Sequence, residues 1–167
     1  LPDTAFADEL ITDNLAIALA ATRTQLASDV LSATLAGVAG GSATVIGRSE
    51  AAPPAQAAFA NSALAHILDF DDINDQGRLH PTTVVLPAAL AAGQLVGARG
   101  SDVFDGVLLG GEAMCRLGVA VSPTATSPAA HWFITQLVGY VGAAVAAGVA
   151  LGLDDDTLVS AIGLSIM

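Results

Sequence analysis

The densest run of groups able to do chemistry lies between residues 66 and 81, His-Ile-Leu-Asp-Phe-Asp-Asp-Ile-Asn-Asp-Gln-Gly-Arg-Leu-His-Pro. His66, Asp69 and Asp72 are spaced i, i+3 and i+6, so a helix continuing through them sets all three along one face. His80 then returns at the start of the next predicted helix. An imidazole converging with carboxylates at a helix junction is equipped to take a proton from a carbon acid, a carboxylate orienting the ring. Two plainer readings stand beside that one. Asp69, Asp71, Asp72 and Asp75 are of the type that caps helices and solvates loops. Four aspartates and two histidines also suit a divalent cation, but their spacing fits neither an EF-hand nor a helical zinc motif, so no metal is expected.

The elements that must hold these groups are helices. Residues 5–21 carry Phe6, Leu10, Leu15 and Leu19 near helical spacing. A second helix runs from Gln25 to Ala36 and stops at the Gly37, Gly40, Gly41 cluster. Residues Ala43 to Gly47 read either as a strand or as extended chain. Pro53 and Pro54 open a third helix, as proline does in a first turn, and carry it to about Phe70. After the polar loop from Asp71 to Leu79, Pro81 starts a helix that reaches Val96, with His80 at or near its N-cap. Ser101 or Asp102 caps the next, to about Leu117; with Asp102 as cap, Asp105 falls at the third position of a capping box. Residues 118–131 read as a loop with two prolines, 133–151 as a long Ala/Gly-rich helix, and Asp154 caps a last helix that is still in pattern at Met167. The fold class is all-α, a multi-helix bundle packed through small residues, in one domain over 1–167.

Composition narrows the function. The 167 residues are 53% hydrophobic and 13% charged, with a mean hydropathy of +0.66, which excludes a disordered chain. Sixteen acidic residues against five basic ones give a net charge of −11, so a nucleic-acid partner is not expected. The basic residues are all arginine, which excludes Schiff-base and P-loop chemistry within these residues. The single Cys115 rules out a disulfide framework and reads as a small core hydrophobe. Residues 132–153 are long enough to span a bilayer, but their Ala and Gly favour close helix packing, and three aspartates follow at once. They are read as a buried core helix. With no signal-peptide layout at the start, the chain is expected to be soluble and cytoplasmic.

Beyond spacing, the residues themselves resemble a known family. Ala57 to His66 (Ala-Ala-Phe-Ala-Asn-Ser-Ala-Leu-Ala-His), Leu68-Asp69-Phe70-Asp71-Asp72, and His80-Pro81 with Leu86-Pro87-Ala88-Ala89-Leu90 look like the MmgE/PrpD family. Gly110-Gly111-Glu112, Arg116-Leu117-Gly118, Gly142-Ala143-Ala144 and Leu151-Gly152-Leu153-Asp154 extend the likeness over nearly the whole chain. The resemblance implies a cofactor-free enzyme with a large helical domain and a smaller lid domain, here absent. It further implies a homodimer whose active site handles small polycarboxylates. Carried over residue by residue, it implies active-site roles for Asp69 and His80, with Asp72 in support.

Departures from the family pattern are as informative. Ile73 stands where a threonine is usual, and the loop to His80 is about one residue longer. In the run His131-Trp132-Phe133-Ile134-Thr135, Phe133 occupies the place of a second active-site histidine, with His131 two residues away. Family members are more than twice as long, and their catalytic lysines lie outside this stretch. His131, Asn61, Ile73 and Phe133 are accordingly expected to line the substrate site, although Trp132, Phe133 and Tyr140 also read as core residues. Asn61 is equally consistent with a bond across the site or with facing the next helix. Glu112 and Arg116, at i and i+4, are expected to pair. The expected activity is lyase or isomerase chemistry on a small carboxylate or keto compound. The competing expectation is a catalytically degenerate helical subunit that acts through dimerisation or a companion subunit.

Overall fold

In the computed structural model, which describes residues 4–121 and 131–167, seven helices and one two-residue-per-strand ribbon make an all-α domain. The helices are α1 (Thr4–Ala21), α2 (Gln25–Thr34), α3 (Pro54–His66), α4 (Thr82–Val96), α5 (Gly100–Val121), α6 (Ile134–Ala150) and α7 (Asp155–Ser165). Their ends follow ordinary capping chemistry. The Thr24 side chain accepts from the Ala27 N–H at the start of α2, and Asp154 accepts from Thr157 N–H at 2.8 Å to open α7. Pro53 and Pro54 start α3, and Gly97 ends α4 in the left-handed conformation (φ 65°) that a side chain resists.

The core has two parts. One gathers Ala18, Ala21, Leu31, Ala57 and Leu64 from α1, α2 and α3; the other gathers Val85, Leu86, Met114, Ile134 and Val138 from α4, α5 and α6. Glycine lets α5 lie directly against α6: a Cβ on Gly106 would sit 2.5 Å from the Ala146 carbonyl oxygen, and one on Gly110 2.7 Å from that of Gly142. The apolar 132–153 stretch is therefore a core helix, α6, wedged against α4 and α5. Among the described residues no helix is long and apolar enough to cross a membrane.

Several expected boundaries move. α5 starts at Gly100 and runs to Val121, so residues 118–121 of the expected loop are helical, while 122–130 lie outside the described residues. Asp102 is not the cap of α5; it sits in the first turn, where its carboxylate takes the Arg99 backbone N–H and guanidinium. The Ala43 region is a strand over two residues only: β1 (Ala43–Thr44) pairs antiparallel with β2 (Ala51–Ala52). Most consequential, α3 stops at His66 rather than Phe70, because Asp69 adopts a left-handed backbone (φ 56°) and its N–H bonds to the His66 carbonyl. The continuous helical face joining His66, Asp69 and Asp72 does not form.

Candidate acid–base site

The turn after α3 decides which carboxylate meets the histidines. Left-handed φ at a non-glycine residue is tolerated best by Asp and Asn, and at Asp69 it throws the chain back under the end of α3. Asp69 itself is left exposed, and Asp71 is carried inward. The Asp71 side chain has no exposed surface, and its two oxygens each lie 3.0 Å from His66 Nδ1. A carboxylate only accepts, so this geometry suits the tautomer in which Nδ1 carries the hydrogen.

His80 approaches the same carboxylate from the other end of the loop. Asn74 closes that loop: its N–H bonds to the Leu79 carbonyl, its backbone carbonyl accepts from Arg78, and its side-chain oxygen accepts from Gly77. Leu79 is fully buried and fills the space left by Gly118 on α5, where an added Cβ would meet Leu79 Cδ2 at 2.1 Å. The His80 N–H then donates to the Thr135 hydroxyl at the start of α6 (3.0 Å). Thus anchored, His80 Nδ1 lies 3.3 Å from Asp71 Oδ2, but out of line, so this buried nitrogen makes no hydrogen bond. The two imidazoles meet edge to face with centroids 5.0 Å apart.

Phe133 closes one side, its ring centroid 6.1 Å from that of His66 and 6.0 Å from that of His80. His66, Phe59, Ser62, Thr83, Phe133 and Tyr140 are among the walls of an open cleft of about 430 Å³, a size that admits a small organic acid. Asp72 stands behind: one oxygen accepts from the Thr82 hydroxyl at 3.0 Å, and the other is buried without a partner. Burial pushes the Asp72 carboxyl above the ordinary value of 3.8, more than the Thr82 hydrogen bonds hold it down.

Of the residues expected at the site, the structure brings together His80, Phe133 and, one step removed, Asp72. Asp69 and Ile73 are exposed on the turn. His131 is exposed just ahead of α6, two residues before the ring that faces the histidines. Asn61 is elsewhere: buried in α3, it accepts from the Ile46 N–H and donates to the Thr44 carbonyl, both at 2.8 Å, clipping the chain after β1. Trp132, Phe133 and Tyr140 are exposed rather than packed in the core, and Phe133 and Tyr140 line the cleft. Sequence reasoning gave Asp71 no acid–base role, only the capping and cation readings, and placed His66 on a helical face and in the same cation reading. Their separation of five residues signals contact only once the helix is known to end at His66. The Glu112–Arg116 pair forms, on the surface. Cys115 lies beside a second, smaller cleft between α1, α4 and α5, and burial pushes its thiol up to about 11. It is no nucleophile near neutral pH.

A helical domain with an imidazole–carboxylate–imidazole cluster at the edge of a cleft is what the fold and the site define. The chain belongs to the MmgE/PrpD family: the sequence model of the MmgE/PrpD N-terminal domain matches residues 3–167. Over 161 residues it is 29% identical to a cis-aconitate decarboxylase from Aspergillus terreus, a match covering 93% of this chain and 33% of that protein. It is also 29% identical, over 132 residues, to the cis-aconitate decarboxylase-like protein oryM from Aspergillus oryzae, covering 75% of this chain and 27% of that one. The chain thus spans about a third of the length of the curated relatives it matches.

Proposed function

We propose that this chain supplies the acid–base groups of a cofactor-independent lyase or isomerase, acting on a small carboxylate or keto compound. The observation that carries the reading is Asp71, a buried carboxylate flanked by His66 Nδ1 at 3.0 Å and His80 Nδ1 at 3.3 Å. Dehydration, decarboxylation and epimerisation all move a proton at or next to a carbon bearing a carboxylate or carbonyl. With Nδ1 turned toward Asp71, the Nε2 of each ring is the atom left to exchange that proton. Asp71 orients the His66 ring and lies beside that of His80, in place of Asp69, for which the family resemblance implied an active-site role. Burial raises the Asp72 carboxyl above its ordinary value, the direction that suits a group returning a proton. Family membership and the decarboxylase named among the relatives support the lyase class.

The cleft bears on the substrate. Its described walls are aromatic rings, hydroxyls and one amide, with no arginine among them. A tricarboxylate would leave desolvated charges there without cationic partners, so a less charged keto or monocarboxylic compound fits these residues better. A second reading, a non-catalytic subunit that binds a second copy or a companion, draws on the exposed Phe59, Phe133 and Tyr140 around the same cleft.

The test is turnover by the purified chain on a panel running from cis-aconitate to simple keto acids, followed by NMR. His80→Ala, with its circular dichroism unchanged, is expected to lose about 10²–10⁴-fold of the rate. A folded His80→Ala protein as active as the parent contradicts the proposal. A folded parent inert toward the whole panel favours the second reading.

A further inference from the structure

We propose that His66, Asp71 and His80 also form a binding site for a divalent transition-metal ion of the zinc or cobalt class. One ligand atom from each residue lies within 4.8 Å of the other two. Bond lengths near 2.1 Å at a tetrahedral ion put ligand atoms about 3.4 Å apart. The separations from Asp71 to the two Nδ1 atoms, 3.0 and 3.3 Å, are already close to that. The remaining edge, between the two histidines, lies within 4.8 Å, and the His66 side chain is two-fifths exposed.

Four further features favour an ion. The His80 Nδ1 is buried without a hydrogen bond, and in the tautomer with hydrogen on Nε2 its lone pair points at no proton donor. Two imidazoles and one carboxylate are the donor set of borderline divalent ions, not of calcium or magnesium. Three protein ligands beside a cleft leave a coordination position open, and a chain of net charge −11 attracts cations. Coordination through Nδ1 would move the His66 hydrogen to Nε2 with no net release of a proton, and protons compete with the ion for the ligand nitrogens, so binding weakens as the pH falls. It would also withdraw both rings from proton transfer, making the metal an inhibitor rather than a cofactor. That last consequence rests on the proposed function; the binding does not.

The experiment is calorimetric titration of the purified chain with Zn²⁺, paired with the visible spectrum of the Co²⁺ form. One equivalent is expected to bind, with the intense absorption of four- or five-coordinate cobalt. Asp71→Asn and His80→Gln are each expected to weaken binding by about tenfold or more, and His131→Gln to leave it unchanged. Absence of binding at millimolar Zn²⁺ overturns the site, as does undiminished binding by folded Asp71→Asn and His80→Gln proteins. Should those variants fail to fold, the parent's Co²⁺ spectrum still decides: a pale octahedral spectrum, typical of surface carboxylates and water, also overturns it. None of these readouts involves turnover, so an inert protein that binds the ion refutes the enzyme and leaves the site standing.

Discussion

Asp71 and Asp69 are two residues apart and play opposite parts: one lends its carboxylate, the other its backbone. If Asp69 matters through its left-handed turn (φ 56°), Asp69→Gly should leave stability within a few tenths of a kcal/mol, since glycine adopts that conformation freely. Asp69→Val should cost roughly 1–2 kcal/mol, the penalty of a Cβ in that region. Urea unfolding measures both, and equal losses in the two variants would contradict a backbone role. Asp72 makes a prediction about pH. Its folded-state value lies above 3.8, so the folded protein holds this proton more tightly than the unfolded chain. Stability therefore declines as pH rises from 3.8 through the raised value, and is level beyond it. Asp72→Asn should remove that decline. The stability gap between variant and parent, followed by urea midpoints from acid to neutral pH, should widen in the variant's favour; a constant gap sinks the argument.

Helices were legible because their signals are local. Pro53-Pro54, Asp154 and the apolar spacing of α1 mark boundaries that hold within a residue or two. What misled was the end of α3: Ile67 and Leu68 continue a helical pattern, and nothing before Asp69 announces a left-handed residue. That one turn leaves Asp69 exposed and carries Asp71 to the two histidines. The clip from Asn61 to the chain after β1 was equally hidden, since it joins residues brought together only by folding. Glycine pairs on α5 show how position within an element decides the outcome. Gly110 faces α6, and Gly110→Ala would drive a methyl against the Gly142 carbonyl. About 1–3 kcal/mol should be lost. Its neighbour Gly111 has nothing within 4 Å of an added Cβ, so Gly111→Ala should gain roughly 0.5–1 kcal/mol from helix propensity. Thermal unfolding of the pair reads the contrast, and a loss in both variants would mean that α5 does not pack as described.

At the scale of the molecule, small residues bring α4, α5 and α6 together, and α6 and α4 in turn deliver Thr135 and His80 to one place. Leu79 seated over Gly118 and the Thr135 hydroxyl on the His80 N–H make the position of one imidazole depend on three helices. His66 is carried by the end of α3 and met by Asp71 from the loop that follows. The all-α class and the family were readable from composition, spacing and motif residues such as Leu68-Asp69-Phe70-Asp71-Asp72. Of the exposed aromatic rim, Phe133 was expected at the site from the family pattern, whereas hydropathy assigned Tyr140 to the core. Their position matters to the chemistry: Phe133 is a low-dielectric wall beside two imidazoles, where proton-holding contacts are stronger than in water.

The account stands or falls on whether Asp71 holds the His66 ring by Nδ1. Long-range proton–nitrogen NMR correlation of the imidazoles reports which ring nitrogen bears hydrogen in the neutral form. His66 is expected as the Nδ1–H tautomer in the parent chain and as the Nε2–H form common to unconstrained histidine in Asp71→Asn. An Nε2–H tautomer for His66 in both proteins would show that the carboxylate does not engage the ring.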